Sequence, residues 1–315
     1  MSALLNEHAD PALVPPPSRA AASFHRSLPG YEPTPVHALG DVARALGLGA
    51  VLVKDESNRF GLPAFKILGA SWAVEQALRE RPDVHTLVAA SAGNHGRAVA
   101  YVARRRGFSC RVFLPERSVS ARREAIASEG ADIVVVDGSY EDAVELAAGA
   151  GAEPGVLAIA DVGASAPAGA VIDGYATLFD EAAGQASFDL IVVPAGVGSL
   201  AAAAARHGAE IGVAVVAVEP VTAACLTASL AARRRVAVPT PGTTMAGLDC
   251  AEVSAAAWPS LSAGITGTIT VSDAQAHDAM RELAGAGLRI GESGAAPVAA
   301  LRTLVLEDSA DALRR

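Results

Sequence analysis

The chain has 315 residues, a formal net charge of −9 and only 4% aromatic residues. Its length suits one large domain, or two modest domains, with a substantial core. The acidic balance argues against a nucleic-acid or anionic-membrane partner, since like charges repel. No uncharged apolar run reaches the length of a membrane span. The three cysteines are odd in number and lack metal-ligand spacing, which indicates a cytoplasmic protein without a metal site.

The predicted elements alternate between strands and helices along most of the chain. Residues 1–30 are proline-rich and non-periodic, which predicts a loosely attached arm. A helix near 38–47 and a strand near 51–54 follow, and then a helix that carries Lys66. Further strands are predicted near 85–90, 110–114, 132–137, 155–160, 189–193, 213–218 and 268–272. Further helices are predicted near 95–106, 118–129, 140–149, 171–184, 199–208, 222–235, 273–286 and 294–306.

The predicted strands are short apolar runs without polar alternation, a pattern typical of sheets buried on both faces. Because they alternate with helices, they predict an α/β fold with doubly wound parallel sheets. Ligands of such sheets bind beyond the carboxyl ends of the strands. The turns at those ends are therefore the first places to look for a functional site.

Lys66 has apolar neighbours, Phe65 and Ile67, on both sides. Burying an ammonium group is costly and lowers its pKa. Such an environment suits an amine that acts as a Schiff-base nucleophile or as a proton-transfer base. The alternative is a lysine whose stem covers the core while its head reaches water.

The turn Ser91–Gly96 follows the strand predicted near 85–90 and opens a helix. Its small residues allow backbone N–H groups at the helix start to face an anion, and Asn94 adds a side-chain donor and acceptor. The alternative is an ordinary glycine-rich turn with an asparagine cap. His95, in the first turn of the helix, favours a structural role over a catalytic one.

A second turn, Pro194–Ser199, follows the apolar strand DLIVV and predicts a phosphate site, because Gly196 and Gly198 permit close backbone approach. The same residues also fit the G-x-G-x-x-A pattern of a nicotinamide dehydrogenase, with Glu219 as the ribose-binding acid. That pattern lies late in the chain and gives Lys66 no role. Asp161, after the strand near 155–160, is either a general acid or base or a simple helix cap.

Together these features resemble the fold type II pyridoxal-phosphate enzymes, which include threonine dehydratase and the synthases for tryptophan, cysteine and threonine. Within that family they most resemble the diaminopropionate ammonia-lyases. The resemblance follows the family's order from residue 24 to residue 295. It rests on FHRSLPGYEPTPVHAL (24–39), KDESNRFGLPAFKILGAS (54–71), AGNHGRAVAY (92–101), DGYATLFDEA (173–182), PAGVGSLA (194–201), VEP (218–220), TTMAGLDC (243–250) and GESGA (291–295).

The resemblance implies a cofactor, pyridoxal 5'-phosphate, attached to Lys66. It places the cofactor between a small domain of residues 87–165 and a large domain of residues 1–86 and 166–315. It implies elimination of ammonia from 2,3-diaminopropionate, the L-form favoured, to pyruvate and ammonia in a cytoplasmic homodimer. The implied catalytic residues are Lys66, which takes the Cα proton, and Asp161, which helps to expel the β-group. The implied cofactor-binding residues are Lys66, Asn94, Gly196, Val197, Gly198, Ser199, Gly247, Glu292 and Ser293, and the implied substrate-binding residues are Ser91, Ala92, Gly93 and His95.

The chain departs from the ammonia-lyase pattern in two places. The lyases have an aspartate, used on the D-enantiomer, where this chain has Ala92; the pair Ser91–Ala92 instead resembles the hydroxyamino-acid dehydratases. The family also continues past GESGA to a turn that meets the pyridine nitrogen, whereas this sequence ends at Arg315. Either Glu292 or Ser293 substitutes for that turn, or the nitrogen lacks its usual partner, or the chain is truncated.

Three alternatives to the ammonia-lyase stay open from the residues. A serine/threonine-type dehydratase or a β-replacement enzyme would share the fold and the cofactor. A nicotinamide-dependent dehydrogenase would bind at Gly196–Ser199 without needing Lys66. A non-catalytic amino-acid-binding relative would bind the cofactor and turn nothing over.

Overall fold

The computed structural model describes residues 3–160 and 163–314. The strands are β1 (Ala3–Leu5), β2 (Val36–Ala38), β3 (Leu52–Lys54), β4 (Thr86–Ala90), β5 (Ser109–Pro115), β6 (Asp132–Val136), β7 (Val156–Ala158), β8 (Leu190–Pro194), β9 (Ala214–Pro220) and β10 (Gly267–Val271). The helices are α1 (Arg19–Ser27), α2 (Gly40–Leu46), α3 (Lys66–Glu80), α4 (Asn94–Arg106), α5 (Ser120–Ala127), α6 (Tyr140–Ala150), α7 (Ala166–Gln185), α8 (Ser199–Ile211), α9 (Cys225–Ala232), α10 (Trp258–Gly264), α11 (Asp273–Gly285), α12 (Glu292–Leu306) and α13 (Asp311–Arg314).

The chain divides into two compact units. Unit 1 comprises Met1–Ser18, Pro33–Ser57 and Leu178–Arg315, and unit 2 comprises Arg19–Glu32 and Asn58–Thr177. Each unit has its own four-stranded sheet, in the order β1-β10-β9-β8 in unit 1 and β6-β5-β4-β7 in unit 2. Within these two sheets all pairs are parallel except β1 with β10, and a separate two-stranded sheet pairs β2 with β3 antiparallel. The predicted parallel-sheet α/β architecture is confirmed.

The core of unit 1 is apolar and packs α12, α11 and α2 against the sheet. Its fully buried members include Val218, Met245, Ile269 and Leu283. In unit 2, Val88, Phe113 and Val136 of the strands pack against small alanines of α6. Alanine-rich helix faces allow helix and sheet to approach closely, so the carboxyl ends of the strands are held rigidly.

The prediction of a loosely attached arm over residues 1–30 is wrong. Strand β1 pairs with β10 antiparallel, with Leu4 opposite Thr268. Helix α1 buries Ala21, Ala22 and His25. These contacts lie far away in sequence, so a short, proline-flanked segment gives no local sign of them. Within residues 3–160 and 163–314, no helix combines the length and apolar character needed to cross a membrane.

Candidate active site

Lys66 is the first residue of α3, in unit 2, and follows Phe65 at the helix N-cap. Its side chain is half-buried, with Nζ 5.6 Å from the centroid of the Phe65 ring and 5.7 Å from that of Tyr175. The two rings meet edge to face with centroids 5.0 Å apart. The amine therefore lies against two aromatic faces, which attract a cation and exclude water.

The chain contains only one other lysine, Lys54 of β3 in unit 1. Its Nζ donates to Glu181 Oε2 at 2.8 Å, to Gln185 Oε1 at 2.8 Å and to the carbonyl oxygen of Thr34 at 2.6 Å. The side chains of the ion pair are 11% and 2% exposed for Lys54 and Glu181. An ammonium with three acceptors and a buried counter-charge is committed to these structural contacts. Lys66 is thus the lysine suited to act as a nucleophile.

Two residues that the sequence did not single out hold the helix of Lys66. His25 is fully buried, with Nδ1 2.7 Å from Thr177 Oγ1 and Nε2 3.0 Å from the carbonyl oxygen of Leu68. Tyr175 is also fully buried, and a Cβ on Gly69 would lie 2.7 Å from its ring. The first turns of α3 are therefore fixed against α1 and α7. His25 lies in the segment expected to be a loose arm, and the sequence marked it only as part of the family-like stretch 24–39.

The turn between β4 and α4, residues Ser91–Gly93, is called the α4 turn below. Ser91 and Ala92 are half-buried, and Gly93 and Asn94 are exposed. The Gly93 N–H donates to Ser91 Oγ at 3.3 Å, while the hydroxyl of Tyr140 donates to the carbonyl oxygen of Ala90 at 3.2 Å. Asn94 is the first residue of α4, with Gly93 as the cap. The α4 turn thus brings a hydroxyl and the first N–H groups of a helix to the carboxyl end of a strand, an arrangement suited to a carboxylate.

His95 lies beneath the α4 turn with its side chain buried. Its Nε2 is 2.8 Å from the carbonyl oxygen of Ile159, beyond the end of β7. The ring therefore ties the first turn of α4 to the neighbouring strand of the sheet, a structural contact. Asp161, two residues beyond Ile159, lies outside the described residues.

The turn between β8 and α8, residues Gly196–Ser199, is called the α8 turn, and it lies in unit 1. Gly196, Gly198 and Ser199 are buried, and Gly198 has φ +89°, a conformation that L side chains rarely adopt. The thiol of Cys225 donates to the carbonyl oxygen of Gly196 at 3.7 Å, and the Ser254 N–H donates to that of Val197 at 2.8 Å. The α8 turn is therefore fixed by hydrogen bonds that its carbonyl oxygens accept from Cys225 and Ser254.

Holding the carbonyls of Gly196 and Val197 fixes the direction of the N–H groups of Val197 and Gly198, because the C=O and N–H bonds of one trans peptide unit lie in a common plane and point in opposite directions. In the part of the chain that the structure describes, the N–H groups of Gly196, Val197 and Gly198 have no hydrogen-bond acceptor. The first N–H groups of α8 open at the same place. Buried backbone donors without an acceptor, at a positive helix end, fit a phosphate group.

Gly247 lies beside the α8 turn. A Cβ on Gly196 would lie 2.7 Å from the carbonyl oxygen of Gly247 and 3.0 Å from Cys250 Sγ, so glycine is needed there. The Gly247 N–H donates to Ser293 Oγ at 3.2 Å. Glu292 and Ser293 are the first two residues of α12, and both are half-buried. The structure thus brings Gly247 and Ser293 together with the glycines of the α8 turn.

Glu219 is fully buried at the end of β9, where the dehydrogenase hypothesis needs a ribose ligand. Its Oε1 accepts the Leu226 N–H at 2.7 Å, and its Oε2 accepts the Thr227 N–H at 2.8 Å. Burial raises the pKa of Glu219 to about 7 although these hydrogen bonds act to lower it. Both carboxylate oxygens cap α9, which counts against a dinucleotide site.

Comparisons with known proteins identify the family and the fold of this chain. The family described as "Pyridoxal-phosphate dependent enzyme" matches residues 28–312. The diaminopropionate ammonia-lyase of Escherichia coli K12 is 33% identical over 92% of this chain and 82% of its own length. The L-threonine dehydratase of the same strain is 30% identical over 61% of this chain and 37% of its own. The crystal structure of the Escherichia coli ammonia-lyase with an aminoacrylate-PLP azomethine reaction intermediate superposes with TM-score 0.89 and 31% identity, over 99% of this chain and 88% of that one. The predicted family resemblance is confirmed.

Proposed function

Because this chain belongs to the family of pyridoxal-phosphate dependent enzymes, we propose that it is a lyase that eliminates ammonia from 2,3-diaminopropionate, the L-form favoured, to give pyruvate and ammonia. The substrate class comes from the named activity of the Escherichia coli relative. The α8 turn carries the cofactor part of the proposal, because the N–H groups of its Gly196, Val197 and Gly198 have no acceptor among the described residues. We further expect a cytoplasmic homodimer, as the family resemblance implies.

The residues have distinct roles toward the cofactor. Lys66 attaches the cofactor aldehyde through its amine, and the N–H groups of the α8 turn, with Ser199, hold the phosphate. Asn94, the first residue of α4, would donate a hydrogen bond to the phenolic oxygen of the cofactor. Gly247 would bring backbone beside the cofactor ring, and Glu292 or Ser293 would be the residue available to the pyridine nitrogen. When bound, the cofactor supplies an electron sink that acidifies the Cα–H of an attached amino acid.

On the substrate side, the α4 turn takes the α-carboxylate. Ser91 offers its hydroxyl, Ala92 and Gly93 offer backbone N–H groups, and His95 fixes the turn from beneath. Lys66 moves the Cα proton of the L-enantiomer. The methyl group of Ala92 cannot transfer a proton, so the D-enantiomer is not expected to react. The role of Asp161 in expelling the β-amino group stays a prediction.

A serine/threonine-type dehydratase, or a β-replacement enzyme, is the second candidate. It is favoured by the dehydratase-like pair Ser91–Ala92 and by the similarity to the Escherichia coli threonine dehydratase. The two candidates share the cofactor and the roles of Lys66 and the α8 turn. They differ only in the β-group that leaves and in what replaces it.

The experiment is a panel of β-substituted L- and D-amino acids added to the cofactor-loaded protein. Release of pyruvate and ammonia from L-2,3-diaminopropionate, and not from L-serine or L-threonine, is the expected result. Turnover of serine or threonine alone would favour the dehydratase. Product formation only with an added thiol would favour β-replacement, and bound cofactor without any turnover would favour the amino-acid-binding relative.

Borohydride reduction tests the attachment site separately. Because the chain has only two lysines, peptide mapping distinguishes Lys66 from Lys54 directly. We expect the reduced cofactor on the Lys66 peptide alone, and no label in Lys66→Ala. Label on Lys54, or none on the wild-type protein, would reject the assignment.

A further inference from the structure

The segment Thr243–Cys250, called the 243–250 segment, contains no helix or strand, yet it forms one wall of the α8 turn. Its Gly247 carbonyl oxygen is the atom nearest to a Cβ built on Gly196, and Leu248 Cα is 3.2 Å from the same point. A displacement of this segment by less than an ångström would open or close the space beside the phosphate-binding backbone. The shape of the α8 turn therefore depends on the contacts that hold the 243–250 segment.

Asp273, the first residue of α11, binds the start of the 243–250 segment through both carboxylate oxygens. Oδ1 accepts the hydroxyl of Thr243, and Oδ2 accepts the Thr244 N–H at 3.0 Å. Thr243 Oγ1 in turn accepts the Met245 N–H at 3.1 Å. The hydrogen bond from Thr243 lowers the pKa of Asp273 below its ordinary value, so the carboxylate stays ionised near neutral pH. Hydrogen bonds to an ionised acceptor are about twice as strong as neutral ones.

Further contacts carry this anchoring along the segment to Gly247. Thr244 Oγ1 is 3.0 Å from Nε2 of His277, one turn further along α11. The Met245 side chain is fully buried in the core of unit 1. The Gly247 N–H is bound by Ser293 Oγ at 3.2 Å. The segment is thus fixed at its start by α11, in its middle by the core, and at Gly247 by α12.

An aspartate in the first turn of a helix often does no more than interact with the helix dipole. In α11 the capping is already provided by Ser272, whose Oγ accepts the Gln275 N–H at 3.3 Å in a complete capping box. Asp273 instead directs both oxygens out of its own helix and onto the 243–250 segment. Its hydrogen bonds are therefore explained by the segment that it holds.

We propose that Asp273 is a positioning residue for cofactor binding, which acts through Thr243 and the 243–250 segment on Gly247 and the α8 turn. The inference rests on the proposed function, since it concerns the same cofactor. It adds a residue that touches neither the cofactor nor the substrate. Removing the Asp273 carboxylate frees the start of the 243–250 segment. Gly247 and Leu248 are then no longer held in a fixed position beside the α8 turn.

The test compares Asp273→Ala and Thr243→Val with two matched variants. Thr243→Ser keeps the hydroxyl, and Asp278→Asn removes an exposed carboxylate of the same helix that pairs only with Arg281 among the described residues. We measure pyridoxal-phosphate affinity by spectroscopic titration. We expect affinity to fall about tenfold in Asp273→Ala and in Thr243→Val, the loss typical of one hydrogen bond to a charged group. Thr243→Ser and Asp278→Asn should bind like the wild-type protein.

Hydrogen exchange on the cofactor-free protein gives an independent readout. We expect the amides of Thr244, Met245 and Gly247 to exchange faster in Asp273→Ala and in Thr243→Val, and at the wild-type rate in Thr243→Ser. Wild-type affinity in both disruptive variants would overturn the inference, whatever their thermal stability. Wild-type protein that fails to bind pyridoxal phosphate would reject the proposed function itself, and with it the cofactor role of Asp273.

Discussion

The α4 turn and the α8 turn both join a parallel strand to a helix, but they differ in how they are held. The α8 turn is buried, contains a glycine at φ +89°, and has each of its first three carbonyl groups bound by a donor. The α4 turn is half-buried to exposed, and its capping glycine has φ −114°, which any residue can adopt. The first is a rigid backbone cradle, and the second is an open turn.

This difference matches the two ligands proposed for them. A cofactor phosphate stays bound through many turnovers, so a cradle whose donors are fixed in advance loses little entropy when it is filled. A substrate carboxylate must enter and leave at every turnover, so it suits a turn that faces solvent. If this comparison is correct, substitutions at the buried residues that hold the α8 turn should change its properties. Substitutions in the packing beneath the α4 turn should change those of the α4 turn.

The largest effect is expected where the α4 turn packs onto its helix. A Cβ on Gly96 would collide with the carbonyl group of Ser91 and approach Val112 Cγ1 to 3.2 Å. A backbone atom cannot rotate away, so Gly96→Ala should lower the free energy of unfolding by about 3 kcal/mol or more. Gly93→Ala is the matched control, because its nearest atom is Ser91 Oγ at 3.8 Å. Urea denaturation of both variants measures the difference, and equal stability would mean that the contact beneath the turn does not shape it.

Much of the fold could be predicted because its strands are local, apolar runs. Predicted strands near 85–90, 110–114, 189–193 and 268–272 differ from β4, β5, β8 and β10 by at most one residue at each end. Strand β1 was missed because it is three residues long and exists only by pairing with β10. Helix α1 was missed because its burial depends on Leu68 and Thr177, which are distant in sequence.

The candidate site divides in the same way. The glycines of both turns could be found, because each lies directly after a predicted strand and before a predicted helix. The residues that hold the α8 turn could not be found in this way. Ser254 and Cys225 bind the turn from distant parts of the chain, and no local pattern marks them. The sequence spacing predicted Glu219 as a residue that binds ribose. In the structure both of its carboxylate oxygens instead accept N–H groups of α9.

An intermediate effect is expected from Glu219, which supports the α8 turn through α9. Its pKa in the folded protein is about 7, against an ordinary value of 4.5. Between those pH values the folded state keeps a proton that the unfolded state has lost, so the stability contributed by this group falls as pH rises from about 4.5 to 7. The fall can reach about 3 kcal/mol, since one pKa unit corresponds to about 1.4 kcal/mol.

Glu219→Gln tests this pH dependence, because an amide does not titrate. Thermal unfolding from pH 4.5 to 8 should show a flatter profile for the variant, together with lower stability at acid pH from the acceptor that it loses on α9. Glu252→Gln, which removes an exposed carboxylate paired with Arg235, should keep the wild-type slope. If the stability of Glu219→Gln changes with pH as steeply as that of the wild-type protein, the buried carboxyl group is not the source of the pH dependence.

The smallest effect is expected from the hydroxyl of the α4 turn. Ser91→Ala removes the Oγ atom that accepts the Gly93 N–H, and with it one polar contact for the substrate carboxylate. Because the turn is partly exposed, water replaces most of what is lost, and the cost should be about 1 kcal/mol. KM for the amino acid should therefore rise about fivefold, while the affinity for pyridoxal phosphate stays unchanged because the α8 turn is intact. Ser128→Ala, which removes an exposed hydroxyl bonded to the Ala125 carbonyl group, is the matched control. A change in cofactor affinity in Ser91→Ala, with KM unaltered, would contradict the division of labour between the two turns.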